Sequence, residues 1–243
     1  MPEGPSLVIL KEELQPFKGK KILLAEGNTK TIDKEALAGI KLVDIKTWGK
    51  HLLLCFPSFT IRIHFLLFGK YSINQPTKAN PRLHLHFKEG DVYFYTASVR
   101  VLEEDPDEIY DWQADVMNDE WNAAAAKKKL KSKVGMLACD ALLDQDIFAG
   151  SGNIIKNEVL FRVRVHPESI VGNIPARKLS EMIKDVRDYS FLFLEWKKAF
   201  QLKAHWQAHT KKTCPRCNIP FHKSYPGKFK RRAFYCTNCQ VKY

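Results

Sequence analysis

The chain has 243 residues, 45% hydrophobic and 12% aromatic, enough for one large domain or two ordinary ones with a buried core and a small appendage. No run of about 18 apolar residues occurs, which argues against a transmembrane helix. Glu3, Glu12 and Glu13 break the basic-then-apolar order of a secretory signal. The formal charge of +12 is unevenly placed. Residues 197–243 hold twelve Lys and Arg and no Asp or Glu, while the other 27 basic residues are matched by 27 acidic ones. Phe221, Tyr225, Phe229, Phe234 and Tyr235 are interleaved with that basic run. A cationic, aromatic surface suits a polyanion, and nucleic acid above all.

Along the chain, Leu7, Leu10 and Leu14 recur at helical spacing, so residues 3–17 read as a helix ended by Pro16 and Gly19. From Lys21 to Leu102 the pattern is β: "KILLAEG", "KLVDIKTWGKHLLLCF", "FTIRIHFLL", "RLHLHFK" and "DVYFYTA" are short, rich in β-branched and aromatic residues, and separated by turn residues. Strands at this spacing predict a two-sheet sandwich, with one hairpin around Glu89-Gly90. Residues 103–115 are acidic and contain Pro106, as a linker would. Helical segments then follow at "DEWNAAAAKKKLKS", "KVGMLACDALLDQ", "NIIKNEVLFRV" and "PARKLSEMIKDVRDYSFLFLEWKKAFQ". Between the second and third, Gly150, Ser151 and Gly152 make a sharp turn and Asn153 opens the next helix. Such a turn can offer backbone N–H groups and a helix N-terminus to a phosphate, though a simple tight turn explains it as well.

Cys214, Cys217, Cys236 and Cys239 form C-x2-C-x18-C-x2-C. Each two-residue spacer lets a turn aim two thiolates at one ion, and 18 residues accommodate a β-hairpin. The pattern predicts one structural zinc ion in a closed four-sulfur site. Cys55 and Cys139 lie in apolar segments and read as reduced core residues, which fits a cytoplasmic protein, at the nucleoid if bacterial.

The Met1-Pro2-Glu3-Gly4-Pro5 start, "LLDQDIFAGSGN" and the four-Cys segment with "RRAFYC" together resemble the formamidopyrimidine-DNA glycosylase / endonuclease VIII family of base-excision repair enzymes. The resemblance spans the chain in order and leans to the endonuclease VIII-like branch. It implies an α+β multidomain fold. A catalytic β-sandwich domain with a leading helix would occupy 1–112, a helix-two-turn-helix DNA-binding domain 113–210, and a zinc-finger β-hairpin 211–243. The implied activity is a bifunctional glycosylase/AP lyase acting on damaged DNA as a monomer without a membrane.

Pro2, exposed by removal of Met1, would supply a secondary α-amine of the near-neutral class. Glu3 would shuttle protons, and Lys50 would clamp a phosphate and assist base loss. Asn153, Arg231 and its neighbour Arg232 would contact the DNA backbone, His64 would face the DNA, and Leu66, Leu67 and Phe68 would fill the void left by the flipped base. There are departures from the family pattern. Ser6 stands where relatives often have Glu, the x18 spacing is long, and Cys139 replaces a lysine of guanine-oxidation enzymes. The stretch ahead of the finger is also short. The last two favour oxidised pyrimidines over 8-oxoguanine. Competing expectations are an 8-oxoguanine/formamidopyrimidine-type glycosylase, a non-catalytic zinc-dependent nucleic-acid-binding protein, and a zinc-ribbon protein binding RNA.

Overall fold

The computed structural model describes residues 2–243, and the chain divides into two compact units, Met1–Tyr110 and Asp111–Tyr243. Met1, whose removal the nucleophile expectation needs, lies outside the described residues.

The first unit opens with α1 (Gly4–Glu13), where Pro5 sits in the first turn and needs no N–H partner. Leu7, Leu10 and Leu14 are buried, and Pro16 turns the chain through a short 3-10 segment, Gln15–Phe17. Eight strands follow: β1 (Ile22–Glu26), β2 (Asp44–Trp48), β3 (His51–Cys55), β4 (Thr60–His64), β5 (Lys70–Ile73), β6 (Leu83–Phe87), β7 (Gly90–Tyr95) and β8 (Ser98–Leu102). They form two four-stranded antiparallel sheets, ordered β1-β6-β7-β5 and β2-β3-β4-β8. Alternation places Ile45, Leu52, Leu54, Ile61, Ile63 and Val99 of the second sheet in one core with Ile22, Leu83, Leu85, Val92 and Phe94 of the first. Each such side chain contributes roughly 1.5–3 kcal/mol by leaving water. A short helix α2 (Pro106–Ile109), capped by the Asp105 carboxylate accepting from Asp107 N–H, ends the unit.

Two strands, β5 and β8, were not expected. β4 also stops at His64 instead of continuing through Leu67, because Leu66 adopts φ +50° and Gly69 N–H closes onto Phe65 O at 2.7 Å.

The second unit contains α3 (Ala123–Ser132), α4 (Ala138–Ala141), α5 (Asn153–Arg162) and α6 (Ala176–Lys198), then the hairpin β9 (His222–Ser224) and β10 (Ala233–Tyr235). Asn122 caps α3 by accepting from Ala124 and Ala125 N–H. Along α6, Leu179, Met182, Ile183, Val186, Tyr189 and Phe193 recur at helical spacing and are buried against α3 and α5. The helix expected over 133–145 shrinks to α4. Ala138 N–H donates to Ser169 O and Cys139 N–H to Pro167 O, so the chain pairs with a distant segment where a helix would bond within itself. Among the described residues no helix is long and apolar enough to cross a membrane.

Candidate nucleic-acid interface and metal centre

In the first unit Glu3 is the N-cap position of α1 and buried, 3% exposed, with Pro2 half-buried before it. Lys50 is the second residue of the two-residue turn joining β2 to β3, since Trp48 pairs with His51. Gly49 has φ +54° and supplies the left-handed residue that such a hairpin requires. Lys50 is only 9% exposed. Its charge reaches His51 and His64, neighbours across β3 and β4 with rings 5.4 Å apart.

Both histidines are held neutral. Burial, then the Arg62, His64 and Lys50 charges, push His51 down to about 3. Burial, then Lys50 and Arg62, lower His64. Tyr110 accepts a bond from Arg62, which can only donate, and its hydroxyl lies 3.1 Å from His51 Nδ1. His64 Nδ1 accepts Leu66 N–H at 3.3 Å, leaving Nε2 as the donor and tying the histidine to the loop tip. At that tip Leu66, Leu67 and Phe68 are 45%, 48% and 78% exposed, so all three are solvent-facing and none is a core strand residue.

In the second unit Gln145 braces the glycine turn, its side chain donating to Leu143 O and Ser151 O and accepting Gly150 N–H. The turn delivers Asn153, half-buried, to the first position of α5. The next polar residues of α5 point inward. Lys156 is fully buried, its ammonium donating to Asn153 Oδ1 at 2.8 Å, Arg232 O at 3.0 Å and Arg231 O at 3.4 Å. Asn157 donates to Asn153 O and Arg232 O and accepts Phe234 N–H. Glu158 accepts the N–H groups of Gln207, Ala208 and His209; burial nonetheless raises its carboxyl above the usual range. The polar side of α5 thus seats the loop carrying Arg231 and Arg232 beside Asn153. Arg232 itself is exposed and leans on Tyr225, its Nε 3.3 Å from the hydroxyl.

The sulfurs of Cys214, Cys217, Cys236 and Cys239 lie within 4.8 Å of one another. Cys214 and Cys239 Sγ are 3.8 Å apart. Four sulfurs each about 2.3 Å from one ion at tetrahedral angles would sit about 3.8 Å apart, so the cluster fits a tetrahedral thiolate-bound metal. Around it, Gln240 Oε1 accepts Cys236 N–H while its Nε2 donates to Val165 O, and Asn238 Nδ2 donates to Cys217 Sγ. Arg216 stacks 3.7 Å from the Phe161 ring centroid.

Two family descriptions match in order: the formamidopyrimidine-DNA glycosylase N-terminal domain over residues 1–101 and the formamidopyrimidine-DNA glycosylase H2TH domain over 113–190. The chain belongs to the formamidopyrimidine-DNA glycosylase / endonuclease VIII family. It is 29% identical to endonuclease 8-like 3 of Xenopus laevis over 86% of this chain and 36% of that one, so it spans about a third of that relative's length. It is 27% identical to the formamidopyrimidine-DNA glycosylase of Lactobacillus helveticus (strain DPC 4571) over the whole of both chains, and 25% identical to mouse endonuclease 8-like 2 over 99% and 96%. A viral DNA glycosylase superposes with TM-score 0.86 at 19% identity, covering 98% of this chain and 100% of the other. Lactococcus lactis formamidopyrimidine-DNA glycosylase, crystallised with DNA containing an AP site, superposes with TM-score 0.85 at 20% identity, covering 99% and 100%. These structures share the fold.

Against that family pattern, the structure adds residues that the sequence did not single out. Lys156, Asn157 and Glu158 read as an ordinary helix segment, and only the burial of three consecutive polar residues exposes their role. Asp140 is another: its carboxylate accepts Lys228 and Phe229 N–H from the finger loop. Cys139 beside it is 2% exposed, and burial pushes its thiol up to about 12, so it carries no charge there.

Proposed function

We propose that this chain is a bifunctional DNA glycosylase/AP lyase that removes oxidised bases, pyrimidines in preference to purines, from damaged DNA. The family membership along both units supports the reading, and the observation that carries it is the placement of Pro2 and buried Glu3 at the N-terminus of α1. With Met1 removed, the Pro2 nitrogen attacks C1′ of the damaged nucleotide and the base departs with the glycosidic electron pair. The positive end of α1 favours a neutral amine and an anionic carboxylate beside it. The bound amine loses its proton, O4′ takes up a proton as the C1′–O4′ bond breaks and the sugar ring opens, and the nitrogen lone pair forms a cationic iminium that acidifies the C2′ proton. Loss of that proton expels the 3′ phosphate, and a second elimination releases the 5′ phosphate. Glu3 moves protons between the sugar and the leaving base. Lys50 and His64 bind phosphate at the β2–β3 turn and the end of β4, and Asn153, Arg231 and Arg232 bind it on the second unit. Leu66, Leu67 and Phe68 enter the stack where the base leaves. The four cysteines hold one structural zinc ion, which supplies folding energy and no chemistry.

Borohydride reduction in the presence of an abasic duplex should trap the chain covalently on DNA. Chain whose terminal amine is blocked, or which retains Met1 by intact mass, should give no adduct; an undiminished adduct would remove Pro2 from the mechanism. A panel of duplexes carrying 5-hydroxyuracil, dihydrouracil, thymine glycol or 8-oxoguanine then tests the preference, and faster release of 8-oxoguanine would reverse it.

A further inference from the structure

The geometry points to Lys156 as a positioning residue that locks two phosphate-facing elements, the first turn of α5 and the 225–232 loop of the finger, into one preorganised surface. The inference rests on the roles proposed above for Asn153 and Arg231. An ammonium taken wholly out of water is costly unless acceptors surround it, and here Asn153 Oδ1, Arg232 O and Arg231 O converge on its Nζ. Two consequences follow from the donor-only chemistry of lysine. First, the Asn153 amide must turn its oxygen toward Lys156, which leaves its NH2 group, the donor a phosphate needs, directed away from the bond. Without Lys156 the amide could flip and present its oxygen to an anion. Second, the backbone from which the Arg231 and Arg232 side chains spring is pinned at its carbonyls. The buried charge also lies at the start of α5, where it adds to the positive end of the helix. Preorganisation of this kind lowers the ordering cost of binding.

The test is a double-mutant cycle on affinity for a duplex carrying a stable abasic-site analogue, with Lys156→Met, Asn153→Ala and the pair. Lys156→Met should weaken binding roughly tenfold, the scale of one charge-assisted hydrogen bond. In the Asn153→Ala background it should cost less than that, because the part that acts through Asn153 is already gone and only the part that acts through the Arg231 and Arg232 backbone remains. Multiplicative, independent losses would overturn the inference, since a purely structural lysine predicts them. A second readout needs no DNA. The side-chain amide resonances of Asn153 in the free protein should shift in Lys156→Met, with melting temperature and metal content recorded alongside; unmoved resonances would also overturn it. If Lys156→Met fails to fold, Lys156→Gln keeps a donor and part of the stem, and should show the same non-additivity at smaller amplitude. If the unmodified chain binds no abasic duplex, the glycosylase reading falls, and the Asn153 resonances alone decide whether the lysine positions that side chain.

Discussion

His51 must stay neutral while buried between Arg62, Lys50 and His64, and that has a cost in acid. Its ordinary value is 6.5 and its folded value about 3. The unfolded chain therefore binds the proton first, and stability present above pH 6.5 drains away as pH falls from 6.5 toward 3, at no more than about 1.4 kcal/mol per pH unit. Replacing it with Phe keeps a ring against Trp48 and Tyr110 but removes the titration. Urea unfolding from pH 7 to pH 4 should then show a shallower decline for His51→Phe than for the unmodified chain; parallel curves would mean the imidazole is not the acid-labile group. At the loop tip, Leu67 is exposed and its neighbour Leu66 is held through His64. Truncation to Ala should leave the fold intact and slow release of a damaged base more than cleavage of a preformed abasic site. Equal slowing of the two would argue against a void-filling role.

Among the elements, α4 and the finger loop constrain each other through Asp140. Gly227 has φ +72°, and a Cβ there would meet the Asp140 carboxylate at 2.3–2.5 Å. Gly227→Ala should therefore lower stability by roughly 1–3 kcal/mol, from backbone strain plus displacement of the carboxylate that holds Lys228 and Phe229 N–H. Thermal unfolding measures it, and an unchanged midpoint would show that the loop is not held as described. The same elements show how much was legible beforehand. α6 was, because its buried apolar spacing runs from Leu179 to Phe193, about four turns, and so was the finger hairpin, because two C-x2-C pairs fix its ends. The exposed tip was legible mainly through the family resemblance, because "FTIRIHFLL" by itself reads as strand through Leu67. β8 was not: Thr96 turns the chain after β7 at φ +49° without a Gly, Pro or Asn to mark it. α4 was overextended because a period of 3.6 says nothing about N–H groups that bond to residues 167 and 169 instead. The polar hub of α5 stayed hidden because its partners lie 49–77 residues away in sequence.

Over the whole molecule, the excess positive charge and the cysteine cluster occupy one stretch that has little apolar core of its own. The finger's cluster is small: Cys214 and Cys236 packed with Phe161 and Ala208, and with Ile219 and Phe221 at its edge. Its two strands are three residues each. A segment with so small a core gains most of its folding energy from a metal when its cysteines hold one. With a metal on the four cysteines, its loss should not stop at the finger. The carbonyls of Arg231 and Arg232 and the amide of Phe234 satisfy buried Lys156 and Asn157. Unfolding the finger would strip acceptors from a buried ammonium, a loss typically worth several kcal/mol. Water would have to enter α5 or the helix would fray. Chelation should therefore raise amide hydrogen exchange in residues 153–162 together with 211–243, while peptides from β3 and β4 in the other unit keep their protection. If α5 stays protected after the metal is gone, its polar residues find other partners, and the finger is an appendage without structural hold on the helix.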